Sequence, residues 1–307
     1  MRTVLARVSV ALLLAGAATA CGSDGTGGGG DAGAGGARVV VTTNILGDVV
    51  RTIVGDGATV DVIMPPGSNP HDFAPSAKQA AAMRQADVLV VNGRRFEEGL
   101  IDTIEAAEAD GTVVVTATDA VPGDGARATD PHVFTDPVLM QAVVEHLETT
   151  LADDVPGLDT AAFHQRVDDY RAALADLDAE VTDTLAAVPA DRRVLVTNHQ
   201  VLGFFADRYG FDVLGVVIPG GTTLAEPSAA DLVDLADRIA AAGVPAIFAE
   251  TSAPARLADA LAKEGADVEV VELYTESLGE PGSEAGTYLD MVRTNAERIA
   301  AALGGSG

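Results

Sequence analysis

From Val39 onward, short β-branched runs alternate with longer stretches in which apolar residues recur every three or four positions. The runs at 38–43 (RVVVTT), 58–64 (ATVDVIM), 87–92 (DVLVVN) and 112–116 (TVVVT) predict strands. Helices are predicted over 45–54, over 76–85 with Ser76 as N-cap after Pro75, and over 96–108. Strands that are apolar on both faces and separated by helices imply parallel βαβ units with both sheet faces covered. The rhythm then repeats. Strands are predicted at 193–197, 211–217, 245–249 and 267–272, with helices at 200–208, 228–242 (Ser228 as N-cap), 254–264 and 284–303. The fold class is therefore α/β, with two lobes built on four-stranded parallel sheets.

Between the two halves, Leu158 to about Ala187 contains neither Gly nor Pro. Phe163, Val167, Tyr170, Leu174, Leu177 and Val181 alternate at spacings of four and three, which makes one apolar stripe on one helix. At the standard rise such a helix would run about 45 Å. It reads as one long rigid strut packed across both lobes. A coiled-coil dimer segment has the same spacing, but barely four heptads between two α/β lobes favour the strut.

The amino terminus follows a different pattern. Residues 1–20 carry a basic start (Arg2, Arg7), an apolar core and a small-residue end, as an export signal does, and are too short to span a membrane. Ala18, Thr19 and Ala20 stand directly before Cys21, an arrangement that resembles the bacterial lipobox, in which the cysteine receives a diacylglycerol. Cys21 is the only cysteine, so internal disulfides and Cys-based zinc or iron–sulfur sites are excluded. The expected organisation is a signal peptide (1–20), a flexible Gly-rich tether (21–36), an N-terminal lobe (37–157), a linker helix (158–188) and a C-terminal lobe (189–307). The expected location is the outer face of the cytoplasmic membrane, held by lipid.

Charge removes one class of function. Nineteen basic residues against 46 acidic ones give a formal net charge of −27, and −29 once residues 1–20 with their two arginines are removed. Such a surface repels phosphate backbones, so nucleic acid is excluded as a partner. A P-loop motif is absent, and the GAGG at 33–36 lies in the tether with no strand before it, which removes nucleotide binding too.

Three of the five histidines fall where α/β sheets bind ligands, beyond the carboxyl ends of strands. His71 lies in PPGSNPHDF, His132 in ATDPHVFTDP and His199 in VTNHQVLGFF. Pro70 and Pro131 fix the backbone before two of the imidazoles. His146 and His164 lie in helical, acidic surroundings and read as surface residues. Three neutral imidazoles suit zinc, copper, nickel or iron(II), and a carboxylate would complete four ligands. Glu276, past the last strand, is the first candidate for that place, and Glu250, ending the strand before it, is the competitor.

The strings NPHDFAPS, DPHVFTDP, NHQVLGFFADRYGF, IFAETS and LYTESLGEPGSEAGTYLDMVRTNAERI occur in that order. With the lipobox ahead of them, they resemble the cluster A-I solute-binding lipoproteins of bacterial zinc and manganese ABC importers, from about Val39 to Leu303. The resemblance implies two Rossmann-like lobes joined by one long helix, with the metal in the cleft. It implies His71, His132, His199 and Glu276 as ligands, Glu250 as an acid beside the site and a membrane permease as partner. Thr275-Glu276-Ser277 stands where many members have Thr-Asp-Ser, and DAVPGDGARAT stands where zinc members carry a His-rich loop. Three imidazoles and one carboxylate favour zinc over manganese, whose receptors in the family use two of each. The expectation is a monomeric, non-enzymatic receptor. An exported zinc hydrolase and a surface adhesin are the alternatives. Neither HExxH nor GxSxG occurs, and a fourth protein carboxylate would close the open position that hydrolysis needs.

Overall fold

A computed structural model of the protein describes residues 36–123, 125–218, 223–224, 227–252, 258, 261–262 and 268–304. The signal, Cys21 and all but the last residue of the tether lie outside the described residues, as does most of the helix expected over 254–264.

Among the described residues, eight strands form two four-stranded sheets, parallel throughout. The first contains β1 (Arg38–Val41), β2 (Thr59–Val62), β3 (Val88–Val91) and β4 (Val113–Thr116) in the order β2-β1-β3-β4. The second repeats that order with β5 (Val194–Thr197), β6 (Asp212–Val216), β7 (Ala246–Glu250) and β8 (Glu269–Leu273) as β6-β5-β7-β8. All eight expected strands form, seven of them shorter than the expected run and β7 of the same length but shifted by one residue.

Residue alternation within the strands divides the interior into three clusters. Val39, Val41, Val88 and Val90 of the first sheet and Leu195, Ala246 and Phe248 of the second belong to one common core. Val40, Leu89 and Val91 point the other way, toward Met83 and Leu100. Val196, Ile247 and Ala249 face Leu235 and Ile239. The period of two along each strand thus sends one face of each sheet to the shared core and the other to a private one.

Helices fill these layers. The first half carries α1 (Asn44–Val54), α2 (Ala77–Arg84), α3 (Ile101–Ala109) and α4 (Pro137–Asp154). Ser76 caps α2 in a reciprocal capping box with Gln79, and Asp136 caps α4 with Pro137 in its first turn. The long helix, α5 (Ala161–Leu185), starts at its cap Thr160 and has 25 residues. It is therefore about 37 Å long rather than 45 Å. Its whole stripe is buried, and it packs on α1, α4 and the C-terminal helix. The second half adds α6 (Gly203–Tyr209), α7 (Ala229–Ala242), capped by Ser228 with Asp231, and α8 (Tyr288–Gly304). No helix among the described residues is long and apolar enough to cross a membrane.

One local expectation is corrected. The helix expected from 96 begins only at Ile101, because Glu97 turns inward: its carboxylate accepts from Thr42 Oγ1 (2.7 Å) and from the N–H groups of Asn92 (2.6 Å) and Gly93 (3.3 Å). His164 is a half-exposed surface residue in acidic surroundings, as expected: Nδ1 meets Glu148 of α4 at 2.6 Å and Nε2 meets Asp159 at 2.8 Å.

Candidate metal centre

Each candidate ligand is delivered by a loop at the carboxyl end of a sheet. His71 follows β2, His132 follows β4, His199 follows β5 and Glu276 follows β8. In two of these loops the sequence Asx-Pro-His builds the same turn. Asn69 Oδ1 accepts the His71 N–H at 3.0 Å, and Asp130 Oδ1 accepts the His132 N–H at 3.1 Å. Further bonds hold the His132 loop against the end of β3. Asn92 Nδ2 donates to the Pro131 carbonyl (3.0 Å), and Arg94 Nη1 donates to the carbonyls of Asp130 (2.8 Å) and Arg127 (3.1 Å). His199 is set by Thr197, whose hydroxyl donates to the His199 carbonyl at 2.7 Å.

These loops converge. Glu276 Oε1 lies 2.8 Å from His71 Nε2, 3.0 Å from His199 Nε2 and 3.4 Å from His132 Nε2. The Nε2 atoms of His132 and His199 are 3.3 Å apart. All four residues are at most 2% exposed. Ligand atoms arranged tetrahedrally at zinc distances would stand about 3.3 Å from one another; the four separations above are close to that, and all four donor atoms lie within 4.8 Å of one another. Glu276 Oε2 is buried with no hydrogen-bond partner among the described residues, which leaves a second carboxylate oxygen available to a cation. The edge of the Phe96 ring closes the apolar wall, 5.5 Å from the His71 ring and 5.6 Å from the His132 ring.

Behind each imidazole stands a carboxylate. His71 Nδ1 meets Glu98 Oε1 at 3.1 Å, His132 Nδ1 meets Asp130 Oδ1 at 2.8 Å, and His199 Nδ1 donates to Glu250 Oε1. A carboxylate on Nδ1 keeps a proton there, so that loss of the Nε2 proton turns that lone pair toward the cavity. The sequence reading had placed Glu250 beside the site but had not singled out Glu98 or Asp130. The Asp-Pro-His turn carries a signal for Asp130, because an Asx turn brings that carboxylate back over its own histidine. Asn69 occupies the matching place before His71 and has no charge to offer, so Glu98, 27 positions later, serves that ring.

The charges are strongly coupled. Burial alone would raise the Glu276 carboxyl, yet the His199 charge and hydrogen bonds from all three imidazoles hold it well below the usual carboxylate range. Burial pulls His199 down, but Glu276 and Glu250 outweigh it and push it up to about 10. His71 also rises: burial pulls it down most, but the Glu276 hydrogen bond and the Glu276 and Glu98 charges together outweigh it. Glu250 is raised by burial and by the neighbouring Glu276 charge. Without a metal, the raised His71 and His199 hold their protons more tightly and offset the charge of the buried carboxylates. A dication supplies the same neutralisation from the same place.

The profile of the family described as "Zinc-uptake complex component A periplasmic" matches residues 39–302. The chain is 34% identical over 275 residues to the zinc-binding protein TroA of Treponema pallidum, covering 86% of this chain and 88% of that protein. It is 29% identical over 297 residues to the manganese-binding lipoprotein MntA of Halalkalibacterium halodurans, covering 96% of this chain and 97% of that one. Its fold superposes on the solved periplasmic zinc-binding TroA of Treponema pallidum with a TM-score of 0.82 at 33% identity, covering 88% of this chain and 99% of that one.

Proposed function

The chain belongs to the zinc-uptake complex component A family, and from that premise we propose that it captures a divalent cation between His71, His132, His199 and Glu276 and delivers it to the permease of an ABC importer. Zinc is the favoured ion and manganese the next. The observation that carries this reading is the convergence of three Nε2 atoms on one buried carboxylate oxygen, each imidazole backed by its own carboxylate. Three nitrogens and one oxygen make a softer set than manganese prefers. Glu98, Asp130 and Glu250 act from behind, orienting the rings and raising their basicity.

Capture exchanges protons for metal. The rings give up Nε2 protons to solvent, and the ion takes the place that protons and hydrogen bonds held around Glu276. Four protein ligands in a closed, buried pocket suit holding an ion better than activating a water on it, which favours a receptor over an exported zinc hydrolase.

The same reading assigns the remaining parts of the chain. Residues 1–20 direct export, Cys21 carries the lipid, and 21–36 tether a monomeric receptor outside the cytoplasmic membrane. Lobes 37–157 and 189–307 flank the cleft, with 158–188 as the link between them.

A competition titration of metal-stripped protein tests the proposal. Zinc and manganese are added separately and together, and bound metal is measured by mass spectrometry. One zinc per chain, retained against excess manganese and lost in His199→Ala, is the expected result. Preferred manganese would reverse the metal assignment, and no tight metal would overturn the site.

A further inference from the structure

The loop that carries Glu276 leaves the second sheet, yet the residues just after Glu276 are bound to the first half of the chain. Asn44, the first residue of α1, donates through Nδ2 to Ser277 Oγ at 3.0 Å and accepts the Leu278 N–H on Oδ1 at 2.8 Å. Gly67 N–H donates to the same Ser277 hydroxyl at 2.7 Å, and that hydroxyl donates to the Leu278 carbonyl at 3.1 Å. Asn44 Nδ2 also reaches the Pro65 carbonyl at 3.1 Å, tying α1 to the β2–α2 loop. Gly67 lies four residues before His71 in that loop, with φ at +77°, a conformation that glycine adopts without steric cost.

Ser277 therefore joins two loops that each end in a candidate ligand: one residue back is Glu276, and four residues beyond Gly67 is His71. Farther along, the Tyr288 N–H donates to Asp48 of α1 at 2.8 Å, and its hydroxyl donates to the Phe134 carbonyl, two residues past His132, at 2.8 Å. The segment from 277 to 288 is thus fastened to the first half at both ends. Neither Asn44 nor Ser277 is hydrogen-bonded to a candidate ligand.

We propose that Asn44, Ser277 and the Gly67 N–H form a latch whose closure sets the rate at which the captured ion leaves. The proposal rests on the metal-capture reading. The ion is held by both loops, so it departs only when they separate. When they separate, water satisfies Asn44, Gly67 and Ser277. While they are closed, only the Ser277 hydroxyl serves both Asn44 Nδ2 and Gly67 N–H. Removing that hydroxyl takes one acceptor from the buried Asn44 Nδ2, which keeps the Pro65 carbonyl, and takes the side-chain partner from the exposed Gly67 N–H; both losses fall on the closed state alone, which speeds opening without touching the ligands. Asn44 and Ser277 are positioning residues in this scheme.

The test is stopped-flow release of zinc into a chelator from the purified mature chain, from Ser277→Ala, from Asn44→Ala and from the double variant. Release about tenfold faster is expected in each single variant, because each removes two hydrogen bonds that cross the junction. The zinc association rate should stay within about twofold, and the double variant should release no faster than about the faster single, because the groups act as one unit. Cobalt(II) loaded in place of zinc should give an absorption spectrum unchanged from the parent, because no ligand is lost. Thermal unfolding of the metal-free proteins checks folding, and if Ser277→Ala does not fold, Asn44→Ala decides alone. Release within about twofold of the parent, or an altered cobalt spectrum, overturns the latch. The unmodified chain is measured first: if it holds no zinc, the capture reading falls and the latch falls with it.

Discussion

His199 and Glu250 stand side by side because of strand register. Thr197, the last residue of β5, pairs with Phe248 of β7; two residues farther on, His199 just past β5 donates from Nδ1 to the carboxylate of Glu250, the last residue of β7. Both side chains are buried, and the other ring nitrogen is 3.0 Å from Glu276. Glu250→Gln keeps the shape of the partner but removes its charge, so the ring becomes a weaker base. Zinc affinity measured against a competing chelator should fall by about 10- to 100-fold, with stoichiometry unchanged. An affinity equal to the parent's would reduce Glu250 to filler.

The three backing carboxylates should not count equally. Their side-chain exposures are 1% for Glu250, 6% for Asp130 and 29% for Glu98, and the Glu98 contact is the longest of the three at 3.1 Å. Water screens the exposed pair most. Asp130→Asn should therefore weaken zinc binding by about as much as Glu250→Gln, and Glu98→Gln by only about a few-fold. The same chelator competition ranks them, and a Glu98→Gln loss larger than that of Asp130→Asn would contradict the ranking.

Protons compete with metal over an unusually high pH range. His199 rises from an ordinary value near 6.5 to about 10 in the metal-free fold. A raised value means that the native state holds its proton more tightly than the unfolded chain does. The protonated ring thus stabilises the metal-free fold fully below about pH 6.5, and that contribution disappears as pH climbs through about 10. Zinc has to displace the proton, so its apparent affinity should keep increasing between pH 7 and 9 instead of levelling off above the usual histidine range. Titration calorimetry in buffers of different ionisation enthalpy should report at least about one proton released per zinc at pH 7.5. Buffer-independent heats would show that His199 is already neutral.

Gly99 supports the site from below. A Cβ built there would overlap the Phe73 carbonyl oxygen, which is backbone and has little room to move. Gly99 follows Glu98, and Phe73 lies two residues past His71, so the close approach keeps this carboxylate and imidazole together. Gly99→Ala should cost about 1–3 kcal/mol in denaturant unfolding of the metal-free protein, as overpacking does. Zinc affinity should fall with it, and an unchanged stability would mean that the two loops are free to separate.

The strands, the helix stripe and the four convergent residues were legible because each depends on local pattern. Val39, Val40 and Val41 are apolar in a row, which in a sheet covered on both faces is what a buried strand requires. The histidines stood out by lying just past such runs. Partners set by packing between distant segments were harder to read. Glu97 and Glu98 look alike in RRFEEGL, yet Glu97 turns inward to the β3–α3 loop and Glu98 meets His71. Nothing within the string separates those roles, since the β2–α2 loop that decides them lies more than twenty residues away. Ser277 in TESLGE is equally plain until Asn44, 233 positions earlier, is brought against it.

The shared core makes a prediction about cooperativity. Leu174 lies fully buried near the middle of α5, in the cluster that takes Val39 and Val88 from one sheet and Leu195 and Phe248 from the other. If the two halves folded on separate cores, a cavity under α5 would loosen one sheet and leave the other. Because the cluster is continuous, Leu174→Ala should lower the stability of the whole by about 2–5 kcal/mol, the ordinary cost of such a truncation. Unfolding should remain a single transition, with the calorimetric and van't Hoff enthalpies in agreement. Two resolved transitions in the variant, with one midpoint unmoved, would show that α5 belongs to one half and only touches the other.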